Sequence, residues 1–275
     1  VASVNRIPEY FWQMLKRKDD LGTWKTINHY PVPWAHAMNT PFQYAKGYAS
    51  HYGGTRNGMV ISWPAGIKDR GGIRTQWHHT IDIVPTLLEL CGLQQPSVVS
   101  GVAQKPIEGV SMAYTFDDPK APSARRTQYF EMFGMRGIYY DGWVACTTPL
   151  MPLGDAGDPT ADVVTGYQWE LYRVAEDFSE AANLAQENPD KLHELQLLFY
   201  AEAAKYNVLP LDHNRLPRFD VSIRPSLTRG RTEFTYQGSV ARIPEGAAPD
   251  LKNKSFRITA DVVLPKGSEE GVVVT

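Results

Sequence analysis

Apolar residues recur at Ile7, Tyr10, Phe11, Met14 and Leu15, the i, i+3, i+4, i+7, i+8 spacing of one helical face. Pro8 suits the first turn, and Lys16, Arg17 and Lys18 suit the C-terminal end, where cations meet the negative pole of the helix dipole. From Trp24 to Tyr52 the periodicity fails. That stretch holds His29, Tyr30, Pro31, Pro33, Trp34, His36, Pro41 and Phe42 with little charge, so it is expected to be irregular and, with so many rings, functional rather than disordered.

Gly53 and Gly54 then introduce a continuous apolar run, Met59 to Trp63, which reads as a short buried strand ended by Pro64 and Gly66. Beyond Gly71-Gly72, Asp82 can act as an N-cap, Pro85 fits the first turn, and Val84, Leu87, Leu88 and Cys91 form a helical face closed by Gly92. A strand, a loop and a helix in this order predict an α/β sheet covered on both faces. From Thr127 the pattern changes to aromatic and β-branched segments at 127–133, 138–140, 143–146 and 169–174. Gly134 to Gly137 is expected to turn between the first two segments, and Asp141-Gly142 is a favoured two-residue hairpin turn between the next two. Asn188 and Pro189 open a helix with Leu192, Leu195, Phe199, Ala203 and Tyr206 on one face. Past Asp220 the chain reads as strands and turns, for example 256–264.

Composition narrows the function classes. Lys and Arg total 28 against 30 Asp and Glu, a net charge of −2 that excludes a nucleic-acid binder working by bulk electrostatics. With 43% hydrophobic and 21% charged residues, the 275-residue chain has a globular composition, large enough for more than one domain. No apolar run approaches the roughly 20 residues of a membrane span. Cys91 and Cys146 are the two cysteines, and neither lies in a CxxC or Cys/His spacing, so the sequence predicts no thiolate zinc site and leaves the compartment open. The chain starts at Val1 with no leader pattern and stops within a β-rich run, Gly271 to Thr275, which reads as a piece cut from a longer protein.

No GxSxG, GxxxxGK[ST], HExxH or GxGxxG pattern occurs. The acid pairs Asp19-Asp20 and Asp117-Asp118 read as solvated turns, because neighbouring side chains point apart. The segment from Asn39 to Arg56 carries more chemistry. Lys46, His51 and Arg56 lie within eleven positions beside Gly53-Gly54, a turn that brings backbone N–H groups near a ligand. Such donors suit a tetrahedral oxyanion. The same residues also allow a second reading, with Arg56 paired to a structural carboxylate and Lys46 facing solvent.

Four segments, in order, resemble the C-terminal half of the type I sulfatases, in particular bacterial arylsulfatases of the alkaline-phosphatase-like superfamily. They are Trp34 to Phe42 with Lys46 and His51 to Arg56; His79 to Gly92; Tyr129 to Gly134 with Asp141-Gly142-Trp143; and Trp169 to Tyr172 leading to Ser179-Glu180 and Asn183-Leu184. The resemblance implies an α/β fold: the C-terminal portion of an alkaline-phosphatase-like mixed sheet over 1–120, a small antiparallel sheet plus helix over 121–220, and a truncated all-β extension over 221–275. It implies cleavage of a small-molecule sulfate ester, with Lys46 as the catalytic contact to the sulfate and His51 and Arg56 as substrate-binding residues. Tyr52 stands where relatives place an acid. Asp82 is expected to start a helix, and Glu131 to serve the sheet or the substrate rim. The family's formylglycine, made in a C/S-x-P-S-R motif, and its Ca²⁺, held partly by an Asp-Asn pair, have no counterpart motif here. Both are expected upstream of Val1, and the chain by itself is expected to be inactive. Two alternatives stay open: a phosphodiesterase or phosphonate hydrolase of the same superfamily, and a non-catalytic carbohydrate-binding module.

Overall fold

The structure is a computed structural model that describes residues 11–20, 22–25, 32–147, 162–213, 226–238, 240, 243–244 and 247–263. The chain divides into two compact units, Val1–Asn214 and Arg215–Thr275.

In the first unit, helix α1 (Phe11–Lys16) ends on the expected Lys16. The stretch expected to be irregular contains a helix, α2 (Val32–Asn39). Pro33 is its second residue, where the missing N–H has no intrahelical partner to lose, so the ring does not prevent the helix. After a one-turn helix α3 (Tyr52–Thr55), the run Met59 to Trp63 forms no regular element and pairs with no strand among the described residues, and Val60 is 93% exposed. An apolar run becomes a buried strand only when neighbouring strands supply a ladder and cover both faces, and here none does.

A tight turn at Thr80–Asp82 runs directly into α4 (Ile83–Leu90). The cap lies one turn earlier than the sequence pattern suggests. His79 occupies the N-cap position, its Nδ1 accepts from the Ile81 N–H, and the Asp82 carboxylate accepts the His79 N–H in return. Gly92 ends the helix as expected, in the left-handed region, with the Leu93 N–H reaching back to the Leu88 carbonyl. A two-residue hairpin, β1 (Val98–Val99) with β2 (Val102–Ala103), and a one-turn helix α5 (Tyr114–Asp117) follow.

Buried Asp82 gathers these segments. Its oxygens accept from the backbone N–H groups of His79 (2.9 Å) and Val110 (2.8 Å), from His78 Nδ1 (3.0 Å) and from Arg125 Nε (2.9 Å). Arg125 stands just before the main sheet, so one carboxylate ties the α4 entry to the 110 segment and to that sheet. Burial alone would raise its pKa, but the hydrogen bonds from His78, Arg125, His79 and Val110 outweigh it and hold the carboxyl well below the usual carboxylate range.

The sheet is a four-stranded antiparallel meander in the order β3 (Thr127–Met132), β4 (Met135–Tyr140), β5 (Trp143–Thr147), β6 (Trp169–Tyr172). Asp141-Gly142 makes the expected tight turn, with positive φ at both residues. The first turn is tighter than expected. Phe133 and Gly134 form it, also with φ positive at both, and Met135 to Gly137 belong to β4. A phenylalanine in the left-handed region carries no turn signature, which is why the pattern places this turn too late.

Side chains alternate across the sheet. Ile138, Ala145 and Leu171 face α6 (Pro189–Lys205), whose Leu195, Phe199 and Ala203 are fully buried against them. Asn188 takes the N-cap position, but its side chain donates to the Leu184 carbonyl rather than capping the helix. Arg136 on β4 adds a polar tie, its Nη1 donating to the Tyr200 hydroxyl of α6 (3.0 Å). The other face presents Tyr139, Val144, Cys146 and Tyr172 to the segment around Tyr52.

In the second unit the expected strand at 256–264 forms no ladder over its described part, and Phe256 and Val263 are exposed there. β-propensity needs a partner strand and a covered face to become structure.

Two outcomes follow for stability. Phe199→Ala is expected to cost about 4 kcal/mol in urea unfolding, because the surroundings of a fully buried ring collapse only partly. Asp82→Asn is expected to cost about 3–5 kcal/mol at neutral pH by leaving Arg125 buried without its charge partner. Asp82's contribution is complete above its ordinary pKa of 3.8 and is lost as pH falls through the lower folded value, so the gap between parent and variant narrows in acid unfolding series.

Candidate functional site

The candidate site is the loop from Phe42 to Arg56, laid on the sheet face opposite α6. Asn39, the last residue of α2, fastens its neck by donating from Nδ2 to the carbonyls of Tyr44 (3.1 Å) and Gly53 (2.9 Å). A Cβ on Gly53 would run into the carbonyl oxygens of Gln43 and Tyr44, and one on Gly54 into that of Tyr48. The glycine pair therefore serves the closeness of the loop to itself. The sheet also yields space: a Cβ on Gly137 of β4 would lie 3.2 Å from the Ala49 carbonyl and 3.3 Å from that of Ser50.

Aromatic contacts hold the far end. Trp77 stacks on Tyr139 with ring centroids 4.2 Å apart and donates from Nε1 to the Tyr52 hydroxyl (3.0 Å). Glu180, fully buried, accepts the Tyr52 N–H at 2.9 Å, and its backbone carbonyl accepts from Gln43 Nε2. Glu180, 128 residues further on, thus brings a carboxylate to the Tyr52 backbone. Burial pushes the Glu180 carboxyl up to about 7; the Tyr52 N–H and His51 pull it down, and Glu170 and Asp177 push it further up.

Lys46 is exposed, and its ammonium has no hydrogen-bond or ion-pair partner among the described residues. The Arg56 guanidinium, also exposed, pairs with no carboxylate among them; it lies 4.9 Å from the Phe42 ring centroid, 5.5 Å from Tyr52 and 5.8 Å from Phe178. Between the two in sequence, Gly47 to Ala49 and Gly54-Thr55 form one wall of a cleft of about 180 Å³, opposite Phe130, Glu131 and Met132 of β3. Glu131 spends one carboxylate oxygen on the Gly134 N–H (2.8 Å), which serves the turn, and also lines this rim.

His51 lies elsewhere. It is fully buried under the loop, with Nδ1 2.9 Å from Ser50 Oγ and Nε2 2.8 Å from Glu170 Oε2. Cys146 Sγ is 3.7 Å from the same Nε2. Burial pushes the Cys146 thiol up, and Glu180 and Glu170 add to it. No spacing along the chain announces this grouping, since its members come from residues 51, 146 and 170. Only the cross-strand pairing of Cys146 with Glu170 brings it together.

Glu180→Gln keeps an acceptor for the Tyr52 N–H and removes the charge. Between the ordinary value of 4.5 and about 7 the folded chain holds a proton that the unfolded chain has released, so stability falls as pH rises through that window. Denaturant melts should show the variant more stable than the parent by about 2–3 kcal/mol near pH 8, with the difference gone near pH 4.5.

No family model matches the chain. It is 30% identical over 180 residues to an uncharacterized sulfatase of Schizosaccharomyces pombe, an alignment that covers 64% of this chain and 30% of that protein. The chain thus spans less than a third of the length of that curated relative. Among solved structures, Ps i-CgsB in complex with k-i-k-neocarrahexaose is 17% identical with a TM-score of 0.47, covering 67% of this chain and 38% of the other. A structure solved with its substrate D-glucosamine-2-N,6-O-disulfate is 20% identical with a TM-score of 0.40, over 56% and 29%. Likenesses of that size say nothing about substrate. No helix among the described residues is long and apolar enough to cross a membrane. The resemblance to sulfatases read from the four ordered segments agrees with this comparison, in which 180 residues of the chain are similar to a sulfatase.

Proposed function

We propose that this chain forms part of the sulfate-binding wall of a sulfuric ester hydrolase acting on a small-molecule sulfate ester. The observation that carries the reading is a pair of exposed cations, without a carboxylate partner among the described residues, that flank in sequence the loop segments lining one cleft wall. Lys46 precedes Gly47, and Arg56 follows Thr55. An ammonium supplies a point charge with rotatable donors, and a guanidinium supplies a planar fork. Together they suit the spread charge of a sulfuryl group, which grows on its oxygens as the ester bond breaks. His51, enclosed beneath the loop, supports the wall in this reading rather than touching substrate.

The resemblance also implies a formylglycine nucleophile and a Ca²⁺ ion. Cys91 is followed by Gly-Leu-Gln and Cys146 by Thr-Thr-Pro, so neither stands in the formylglycine motif. The ligand cluster among the described residues offers nitrogen, sulfur and a single carboxylate, a set that does not fit a hard cation needing several oxygens. No step is assigned to these residues through calcium. Their part is to bind and orient the anion, and the chain by itself is expected not to turn over substrate.

In the full-length protein, Lys46→Ala is expected to lower kcat/KM for a chromogenic aryl sulfate by about ten- to a hundredfold, equivalent to about 1.4–2.8 kcal/mol, with partial recovery in Lys46→Arg. Steady-state kinetics with the matched aryl phosphate is the control. Unchanged sulfate kinetics removes Lys46 from the site, and faster turnover of the phosphate ester favours the phosphoryl-transfer alternative.

A further inference from the structure

One grouping lies beneath the loop, away from the residues that line the cleft. His51 Nε2, Cys146 Sγ and a Glu170 carboxylate oxygen all lie within 4.8 Å of one another, at separations of 2.8, 3.7 and 4.0 Å. We propose that His51, Cys146 and Glu170 form a zinc site that pins the loop to the sheet.

The geometry fits the ion. Zinc sits about 2.3 Å from sulfur and about 2.0–2.2 Å from nitrogen or carboxylate oxygen, so tetrahedral ligand atoms lie roughly 3.3–3.6 Å apart. The histidine and glutamate need to part by about half an ångström and the sulfur to approach by a few tenths, within reach of small side-chain rotations. The donor set is also right: imidazole, thiolate and one carboxylate suit zinc rather than calcium or magnesium. Thiolate, carboxylate and a neutral imidazole balance the two positive charges, so a buried site becomes electrically neutral.

The surroundings orient the ligands. Ser50 Oγ, 2.9 Å from Nδ1, accepts the imidazole proton when Nε2 turns its lone pair to the metal. The Tyr172 hydroxyl donates to Glu170 Oε2 at 2.9 Å and sets the carboxylate rotamer. Cys146 and Glu170 are cross-strand partners on β5 and β6, while His51 comes from the loop, so the ion would join two parts of the fold. The Glu170 side chain is 18% exposed and marks the way in, leaving the fourth position to a water. Binding converts Cys146 S–H to a sulfur–zinc bond and releases its proton to solvent.

The test is a Co²⁺ titration of the full chain carrying Cys91→Ser, which leaves Cys146 as the one thiol in its 275 residues. The expected result is a sulfur-to-cobalt charge-transfer band in the near ultraviolet with intense visible bands of tetrahedral cobalt. The bands should saturate at one ion per chain and be displaced by Zn²⁺, with a higher melting temperature. Cys146→Ser should abolish the charge-transfer band, and Glu170→Gln should weaken cobalt affinity at least about tenfold. A folded chain, judged by circular dichroism, that shows no such band at saturating Co²⁺ overturns the proposal. So does a band that survives Cys146→Ser, or unchanged affinity in Glu170→Gln. Because the single-thiol parent reports on Cys146 directly, the result stands even if Cys146→Ser fails to fold. None of these readouts depends on sulfate turnover.

Discussion

Burial of both faces of the small antiparallel sheet is the constraint on which the rest depends. Strand alternation sends Ile138, Ala145 and Leu171 to one side and Tyr139, Val144, Cys146 and Tyr172 to the other. Helix α6 covers the first side with three fully buried residues. The second is covered by an irregular loop, which has no internal ladder to hold its shape. The sheet acts as a template. Gly137 lets the backbone at Ala49 and Ser50 come close, Trp77 clamps Tyr52, and Glu170 reaches His51. The cleft wall between Lys46 and Arg56 inherits its shape from these contacts.

Two buried carboxylates show how the number of donors decides ionisation. Asp82 is surrounded by a guanidinium, an imidazole and two backbone N–H groups, and its charged form is favoured despite burial. Glu180 has one backbone donor at Oε2, and its Oε1 finds no hydrogen-bond partner among the described residues, so burial wins and the acid is raised to about 7. Burial is common to both; the hydrogen-bond count separates them. The first is a structural joint at the α4 entry. The second makes the base of the loop sensitive to pH in the neutral range.

The exposed cations and the enclosed histidine divide the labour within one short loop. Lys46 and Arg56 stay at the surface, one without a partner among the described residues and one resting on aromatic faces, while His51, five residues from each, turns inward toward sulfur and carboxylate. A loop built this way presents charge outward and is anchored inward by a different chemistry.

Local patterns alone were enough for the hairpin at Asp141-Gly142, the β3–β6 strands, the α6 face and the Gly92 helix end, because each depends on neighbours a few residues apart. A resemblance to sulfatases was likewise legible in the sequence and agrees with the similarity found over 180 residues. Tertiary structure decided what those patterns could not. Among the described residues it left Met59 to Trp63 and the described part of 256–264 without partner strands, and it placed a turn at Phe133 that no turn residue announces. It also brought Glu180 to Tyr52 and gathered residues 51, 146 and 170 into one cluster. Strand pairing and shared burial act across more than a hundred residues of chain, and side-chain chemistry at that range is set by folding rather than by spacing.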